Sequence, residues 1–297
     1  MNILCEKNHI AILDAYKQQI VIVEISTGKV KNIIENVGHA DGIQIDIENN
    51  YIYWTDMGPE RNGEDFLEPD GAIYRCKFDG REKQKLIGNG LFYTPKQLQL
   101  DIETQQLYWC DREGGRVFRS KTDGTNVEVL IDRSANDIFP VDQLDQCVGI
   151  VLNKKSGHFY WTQKGPSKAG LGRIFRANIK FPTNETGSNR KDILTLLDHL
   201  PEPIDLEIDV EKQILYWTDR GAEPNGNSLN CAKITSTGLI DHQIIVHGFK
   251  EAIGLSLDQD CIFVSDLSGT VYKIELKTKS KHIIYSSGTM CTGIQVF

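Results

Sequence analysis

The sequence lacks the features that mark several classes of protein. Its seven cysteines are scattered singly, with no CxxC pair, which argues against a disulfide framework and a cysteine-based zinc site. No apolar run approaches the roughly 18 residues of a membrane span, so we expect no such span. The net charge of −8 leaves no basic surplus for a phosphate backbone, so we expect no nucleic-acid partner.

The chain also lacks the marks of a secretion signal and of a nucleotide cofactor. Glu6, Lys7 and His9 interrupt the N-terminal segment where a secretion signal is continuously apolar, so we expect a cytoplasmic protein. Gly170–Arg173 reads GLGR, but no strand–helix unit surrounds it, which argues against a dinucleotide site. Helix-length apolar periodicity is nearly absent. We therefore expect an all-β protein without a cofactor.

One phrase recurs along the chain: an alternating run, a short turn and an aromatic run that ends in a polar residue. It begins at Gly42, Gln97, Gly149 and Asp205, as GIQIDIENNYIYWTD, QLQLDIETQQLYWCD, GIVLNKKSGHFYWTQ and DLEIDVEKQILYWTD. A shorter form, GLSLDQDCIFVSD, begins at Gly254. Self-similarity at a spacing of tens of residues is typical of a repeat architecture.

The two ends of the chain complete one another. TGIQVF at residues 292–297 opens a sixth copy and stops, while HIAILD at residues 9–14 occupies the missing second-strand position. In the copy that begins at Gly42 we predict four strands, at 43–47, 51–55, 73–78 and 83–87. The sequence therefore predicts a single six-bladed β-propeller over residues 1–297, with four antiparallel strands per blade. The C-terminal strand joins the N-terminal blade and closes the ring.

The aromatic runs carry a family resemblance. Tyr53–Asp56 and Tyr216–Asp219 read YWTD, and Tyr108–Asp111 and Tyr160–Gln163 each differ from that motif at one position. The chain thus resembles the YWTD-type propellers of low-density-lipoprotein receptors over its whole length. Because the Trp and Asp recur in most copies, we interpret them as structural residues that every blade needs.

In the first strand of each copy, two apolar residues flank one middle position. That middle position is occupied by Gln44, Gln99, Val151, Glu207, Ser256 and Gln295. Alternation of this kind places one face of the strand against the next blade and the other against a polar space. We expect that space to be a water-filled central channel.

The loops that lead into these first strands differ from copy to copy, and a function is expected there. Three residues before each opening position stand His39, Thr94, Gln146, Glu202, Glu251 and Met290. Close to them lie Asp41, Lys96, Gln97, Asp205 and Thr292. Long loops beginning at Met57, Lys164 and Arg220 open on the same face. Together they predict a pocket at one mouth of the channel.

A second, narrower resemblance suggests what the pocket does. The segments YWTQKGPSKAGLGRIFRANI and LPEPIDLEIDVEKQILYWTDRG are similar to a fungal group of stand-alone YWTD propellers. Some members of that group are hetero-Diels–Alderases that join a tropolone-derived quinone methide to a sesquiterpene. The resemblance implies a small-molecule enzyme with apolar substrates and no metal.

We assign the candidate residues on that basis. Donors of hydrogen bonds, and an acid or base, are expected among His39, Lys164, Glu202, Arg220 and Glu251. Substrate contacts are expected from Asp41, Lys96, Gln97, Gln146, Asp205, Met290 and Thr292. For His39 a turn histidine bonded to a local carbonyl is the alternative, and for Arg220 a pairing with a carboxylate.

Two other functions stay open on the sequence. A metal-dependent, lactonase-like hydrolase would use oxygen ligands such as Glu202, Asp205, Glu207 and Glu251. A protein-binding module would act as the receptor relatives do. The sequence makes no prediction of oligomeric state.

Overall fold

The described part of the chain consists of short antiparallel strands and the turns between them. The computed structural model describes residues 7–61, 66–134 and 138–297. In the first half of the chain the strands are β1 (His9–Asp14), β2 (Gln19–Glu24), β3 (Val30–Glu35), β4 (Ala40–Asp46), β5 (Tyr51–Asp56), β6 (Ala72–Lys77), β7 (Gln84–Ile87), β8 (Pro95–Asp101), β9 (Gln106–Asp111), β10 (Arg116–Lys121), β11 (Glu128–Asp132) and β12 (Cys147–Asn153). A 3-10 turn at Gln143–Asp145 precedes β12.

The second half of the chain continues the same pattern. Its strands are β13 (His158–Gln163), β14 (Gly172–Asn178), β15 (Leu194–Leu200), β16 (Pro203–Asp209), β17 (Ile214–Asp219), β18 (Ser228–Ile234), β19 (Leu239–His247), β20 (Ala252–Asp258), β21 (Cys261–Asp266), β22 (Thr270–Glu275), β23 (Lys281–Ser286) and β24 (Cys291–Val296). No helix in the described ranges is long and apolar enough to cross a membrane.

The strands form six sheets of four, which confirms the predicted six-bladed β-propeller. Blade one has the order β24-β1-β2-β3, and blades two to six are the successive quartets from β4-β5-β6-β7 to β20-β21-β22-β23. Strand β24 pairs antiparallel with β1, with Ile294 opposite Ile12. The backbone groups of His9 and Phe297 exchange two further hydrogen bonds, of 3.2 and 2.8 Å. The chain ends therefore share one sheet, as the sequence predicted.

The strand bounds also follow the prediction closely. In blade two the predicted first strand begins three residues later than the observed β4, and the other three strands agree within one residue at each end. The long loop predicted over residues 57–71 includes residues 62–65, which lie outside the described part of the chain. Cys5 and Glu6 lie outside it too, and the six described cysteines are free.

The motif tryptophans fill the spaces within and between the blades. Trp54, Trp109, Trp161 and Trp217 are fully buried. Three of them stack on an aromatic ring of the third strand of the same blade; for example, the rings of Trp161 and Phe175 lie 5.1 Å apart. These contacts support the interpretation that the recurring aromatics stabilise each blade rather than bind a ligand.

The ring closure can be tested at the terminal strand. Ile294 is buried in a cluster with Ile10 and Phe263, whereas its neighbour Gln295 is half-buried and bonds to Gln44. We expect Ile294→Asp to lower the free energy of unfolding by about 3 kcal/mol or more, because it buries an unpaired carboxylate. Gln295→Ser is the matched control and should cost about 1 kcal/mol. Equal losses in chemical denaturation would contradict a buried closing strand.

A second prediction concerns the motif aspartate of blade five. Asp219 Oδ1 accepts hydrogen bonds from the backbone N–H groups of Glu202 (2.9 Å) and Gly221 (3.0 Å), yet burial raises the pKa of this carboxyl to about 7. Between the unfolded and folded pKa values the native state binds more protons, so this group stabilises the fold less as pH rises.

We therefore expect the stability of wild type relative to Asp219→Asn to fall as pH rises from about 4 to about 7, and to level off above that. Asp219→Ala, which removes both hydrogen bonds, should be about 2 kcal/mol less stable than Asp219→Asn at every pH, because neither variant titrates at this position. Urea denaturation at several pH values measures both quantities. A wild-type advantage that grows with pH would overturn the assignment.

Candidate functional site

A cavity of about 680 Å³ opens at the mouth of the ring, a size usual for small-molecule sites. All six blades line it, and each blade contributes from the same two backbone positions. We call the residue just before the opening position of each inner strand the floor residue. We call the residue just after the motif strand the wall residue.

The floor residues divide the mouth into a polar and an apolar half. From blade one to blade six they are Thr292, Asp41, Lys96, Val148, Ile204 and Ile253, and all of them line the cavity. The last three pack together with Leu267. Because consecutive blades are neighbours, blades one to three supply a polar half and blades four to six an apolar half.

Close contact between blades fixes these floor residues. A Cβ atom at Gly149, the opening position of blade four, would lie 2.1 Å from the carbonyl oxygen of Ile204 in blade five. The motif hydroxyl of Thr162 accepts a hydrogen bond from the N–H of Gly149 and donates one to that same carbonyl, both at 2.7 Å. Thr218 donates likewise to the carbonyl of Ile253 in the next blade. The motif threonines thus bind the floor of one blade to its neighbour.

The wall residues also divide into two halves. From blade one to blade six they are Ala15, Met57, Arg112, Lys164, Arg220 and Leu267, and all of them line the cavity. The cationic residues come from three consecutive blades, three to five. The apolar ones come from the other three blades, on the opposite side of the mouth.

Motif aspartates hold the connectors that carry the outer candidate residues. The carboxylate of Asp56 accepts a hydrogen bond from the N–H of His39 at 3.0 Å, and Asp219 does the same for Glu202. In blade four Gln163 replaces the aspartate and donates from Nε2 to the carbonyl of Asp145 at 3.4 Å. Gln163 therefore reaches the same connector with the opposite polarity, because its side chain donates to a carbonyl instead of accepting from an N–H group.

Lys96 and Asp41 neutralise one another in the polar half of the floor. Lys96 Nζ donates to Asp41 Oδ2 at 3.0 Å, and Gln97 Nε2 donates to Asp41 Oδ1 at 2.9 Å. Burial lowers the pKa of Lys96 to about 8, although Asp41 opposes the shift. The pair is buried, so the polar half offers a ligand little net charge.

Glu202 and Glu113 anchor the cations of the wall. Arg220 Nε donates to Glu202 Oε1 at 2.8 Å, and Lys164 Nζ lies 3.5 Å from the same oxygen. Arg112 Nε donates to Glu113 Oε1 at 2.6 Å. Both carboxylates are buried, and neither lines the cavity. They hold the cations in place from behind.

His39 combines the two interpretations that the sequence left open. Its Nδ1 lies 2.9 Å from the carbonyl oxygen of Gly58, which makes Nδ1 the donor, as expected for a turn histidine. Its ring also lines the cavity, with Nε2 3.9 Å from Glu60 and the ring edge against Phe66. The local hydrogen bond therefore fixes the tautomer and orients Nε2.

Most of the predicted residues meet in this one cavity. Those that line it are His39, Asp41, Lys96, Lys164, Arg220, Glu251, Met290 and Thr292. Gln97, Gln146, Glu202 and Asp205 do not line it, and the roles assigned to all twelve remain predictions. The sequence reasoning missed Arg112, although comparing the residue after every motif strand would have found it.

The carboxylates proposed as metal ligands are engaged otherwise. Asp205 accepts hydrogen bonds from the N–H groups of Leu206 and Leu255, both at 2.9 Å, and Glu202 bonds to Arg220. Within residues 7–61, 66–134 and 138–297, no three His, Cys, Asp or Glu side chains are grouped so that they would hold a metal ion. These residues do not fit a lactonase-type metal site.

Comparison with solved structures supports the fold. A chain in the crystal structure of a nidogen–laminin complex superposes with a TM-score of 0.75, and the match covers 97% of both chains. At a sequence identity of 18%, this likeness is evidence for the fold alone. No family model matches the sequence.

The curated proteins that are similar to this chain include the following three. Low-density lipoprotein receptor-related protein 1 of Pyricularia oryzae is 41% identical over 267 residues, which cover 86% of this chain and 84% of that protein. The 3-hydroxyacyl-CoA dehydrogenase-like protein LAM1 of Cochliobolus heterostrophus is 36% identical over 89% of this chain, and the match spans 58% of its length. Low-density lipoprotein receptor-related protein 5 of Mus musculus is 27% identical over 52% of this chain and 8% of its own length. The chain therefore belongs to the family of low-density lipoprotein receptor-related, YWTD-type β-propellers.

Proposed function

We propose that this protein is an enzyme that acts on small molecules in the mouth cavity. The observation that carries the proposal is an apolar floor beside a row of cationic donors, within one cavity of about 680 Å³. Small-molecule sites commonly combine an apolar lining with a few fixed polar groups. The dehydrogenase-like name of the LAM1 relative is compatible with an enzyme role, but this chain offers no dinucleotide motif.

The reaction that we propose is a hetero-Diels–Alder joining of a tropolone-derived quinone methide to a sesquiterpene. One C–C bond and one C–O bond form from the π-electrons of the heterodiene and the alkene, and no atom leaves. Catalysis then requires alignment of the two partners and donors at the heterodiene oxygen. The cavity offers both, with Val148, Ile204 and Ile253 for the hydrocarbon and Lys164 and Arg220 for the oxygen.

The two alternatives fit the cavity less well. A lactonase needs a set of metal ligands, and the carboxylates proposed for that role already bond to backbone amides and to cations. A protein-binding face is expected to be broad and shallow, whereas this site is a concave cavity lined by all six blades. We therefore place the small-molecule reaction first.

The assay that tests this function uses the purified chain. A hydroxymethyl tropolone, which forms the quinone methide by loss of water before the cycloaddition, is incubated with a polyene sesquiterpene, and the adduct is analysed by chiral chromatography with mass spectrometry. The protein should give one stereoisomer faster than the background reaction, because the cavity fixes the relative orientation of the partners. An isomer mixture formed at the background rate would refute the proposal.

Removing a donor from the wall should slow this reaction. We expect Lys164→Met to lower the rate by about ten-fold to a hundred-fold, because one charge-assisted hydrogen bond to the heterodiene oxygen is lost. Lys155→Met is the matched control, since Lys155 is exposed and pairs with Glu211 away from the cavity. Equal rates in the two variants would exclude Lys164 as a donor.

Making the floor polar should weaken the binding of the hydrocarbon partner. Ile253 is buried in the apolar half of the floor. We expect Ile253→Thr to raise the KM for the sesquiterpene about ten-fold, because apolar contact is lost and a hydroxyl is placed against hydrocarbon. The exposed Ile283 of β23 provides the control, Ile283→Thr, which should leave KM unchanged. A change in KM for the tropolone partner alone would contradict this placement of the two partners.

A further inference from the structure

The wall of the cavity has a charged side and an uncharged side that face one another. Arg112, Lys164 and Arg220 occupy the wall position of three consecutive blades, and we call them the cationic arc. Leu267, Ala15 and Met57 occupy the same position of the remaining three blades. Because the six wall positions are equivalent in the backbone, this division is a property of the side chains alone.

The arc is built by buried partners. Glu113 and Glu202 hold the two arginines through Nε, at 2.6 and 2.8 Å. Among the described residues, the Nη groups of Arg112 and Arg220 make no hydrogen bond, and Arg220 Nη1 lies 4.0 Å from the carboxylate of Glu251. The side chains of the arc are only 10–23% exposed. Each arginine is therefore fixed on one edge and retains donors for a ligand on the other.

Inside the rim, positive charge exceeds negative charge in this half of the cavity. Three cations share the two buried carboxylates of Glu113 and Glu202, and Glu251 at the rim is 41% exposed. Burial lowers the pKa of Lys164; Glu202 opposes this shift, while Arg220 and Arg112 add to it. Charges crowded in a poorly solvated site favour a compensating anion. On the floor of blade three, Lys96 is already neutralised by Asp41 at 3.0 Å.

We propose that the ligand of this cavity is an amphipathic anion. Its charged oxygens, those of a carboxylate or of an acidic hydroxyketone, bind to the cationic arc. Its hydrocarbon part lies on the apolar side formed by Leu267, Ala15 and Met57 and on the apolar floor. This inference rests on the proposed function, because it states in which ionic form, and in which orientation, the oxygen-bearing partner binds there.

The experiment compares three ligands that share one hydrocarbon skeleton. Binding of phenylbutanoate, of the matching alcohol and of the matching amine is measured by titration calorimetry at low and high salt. The acid should bind about ten-fold tighter than the alcohol, because charge-assisted hydrogen bonds replace neutral ones. The amine should bind more weakly than the alcohol. Added salt should lower the affinity for the acid and not for the alcohol.

Variants of Arg112 assign the preference to the arc. Arg112→Leu should lower the affinity for the acid about ten-fold and leave that for the alcohol unchanged, whereas Arg112→Lys should keep most of the preference. The control is Arg81→Leu, because Arg81 is 80% exposed and pairs with Asp79 on the surface. If Arg112→Leu fails to fold, the lysine variant and the salt dependence still decide the question.

The outcomes separate this inference from the proposed reaction. Equal binding of acid and alcohol, binding of none of the three, or equal losses for acid and alcohol in Arg112→Leu would overturn the inference. An acid preference that depends on Arg112, in a protein that forms no cycloadduct, would uphold the anion site and refute the reaction. Cycloadduct formation without any acid preference would uphold the reaction and refute the anion site.

Discussion

Hydrogen bonds from the last two residues of most motif strands determine how the mouth of this propeller is built. The motif hydroxyl joins the opening N–H of its own blade to the floor carbonyl of the next, as Thr162 joins Gly149 to Ile204. The motif carboxylate holds the N–H of the connector, as Asp56 holds His39. Both contacts use backbone groups on the partner side, so they leave the side chains of the mouth free to differ between blades.

The backbone contacts and the side chains of the mouth are thus set independently of one another. This independence explains which parts of the structure could be predicted from the sequence. The closure of β24 on β1 and the strand bounds of blade two follow from local patterns: alternation, turns and a motif that recurs in register. The position of the mouth followed as well, because all inner strands begin at one face. His39, Lys164 and Arg220 line the cavity for that reason.

The directions in which individual side chains point were harder to predict from the sequence. Gln97 and Asp205 stand at opening positions where other blades carry glycine, and their side chains turn to Asp41 and to the N–H of Leu255 instead of the cavity. Glu202 turns behind the wall because two cations surround its carboxylate. The sequence does not single out Arg112, because its loop is short and only the long loops indicate the site. These outcomes depend on contacts between blades, which a linear pattern does not contain.

Equivalent backbone positions around a ring can carry very different side chains, and here this difference makes the two sides of the cavity chemically distinct. Charge changes from the arc at Arg112, Lys164 and Arg220 to the apolar wall opposite, while the floor changes from the Lys96–Asp41 pair to a hydrocarbon surface. A gradient of this kind would orient the amphipathic ligand that we propose. A fold that recurs with many activities can thus present chemically different sites through the choice of residues at two positions per blade.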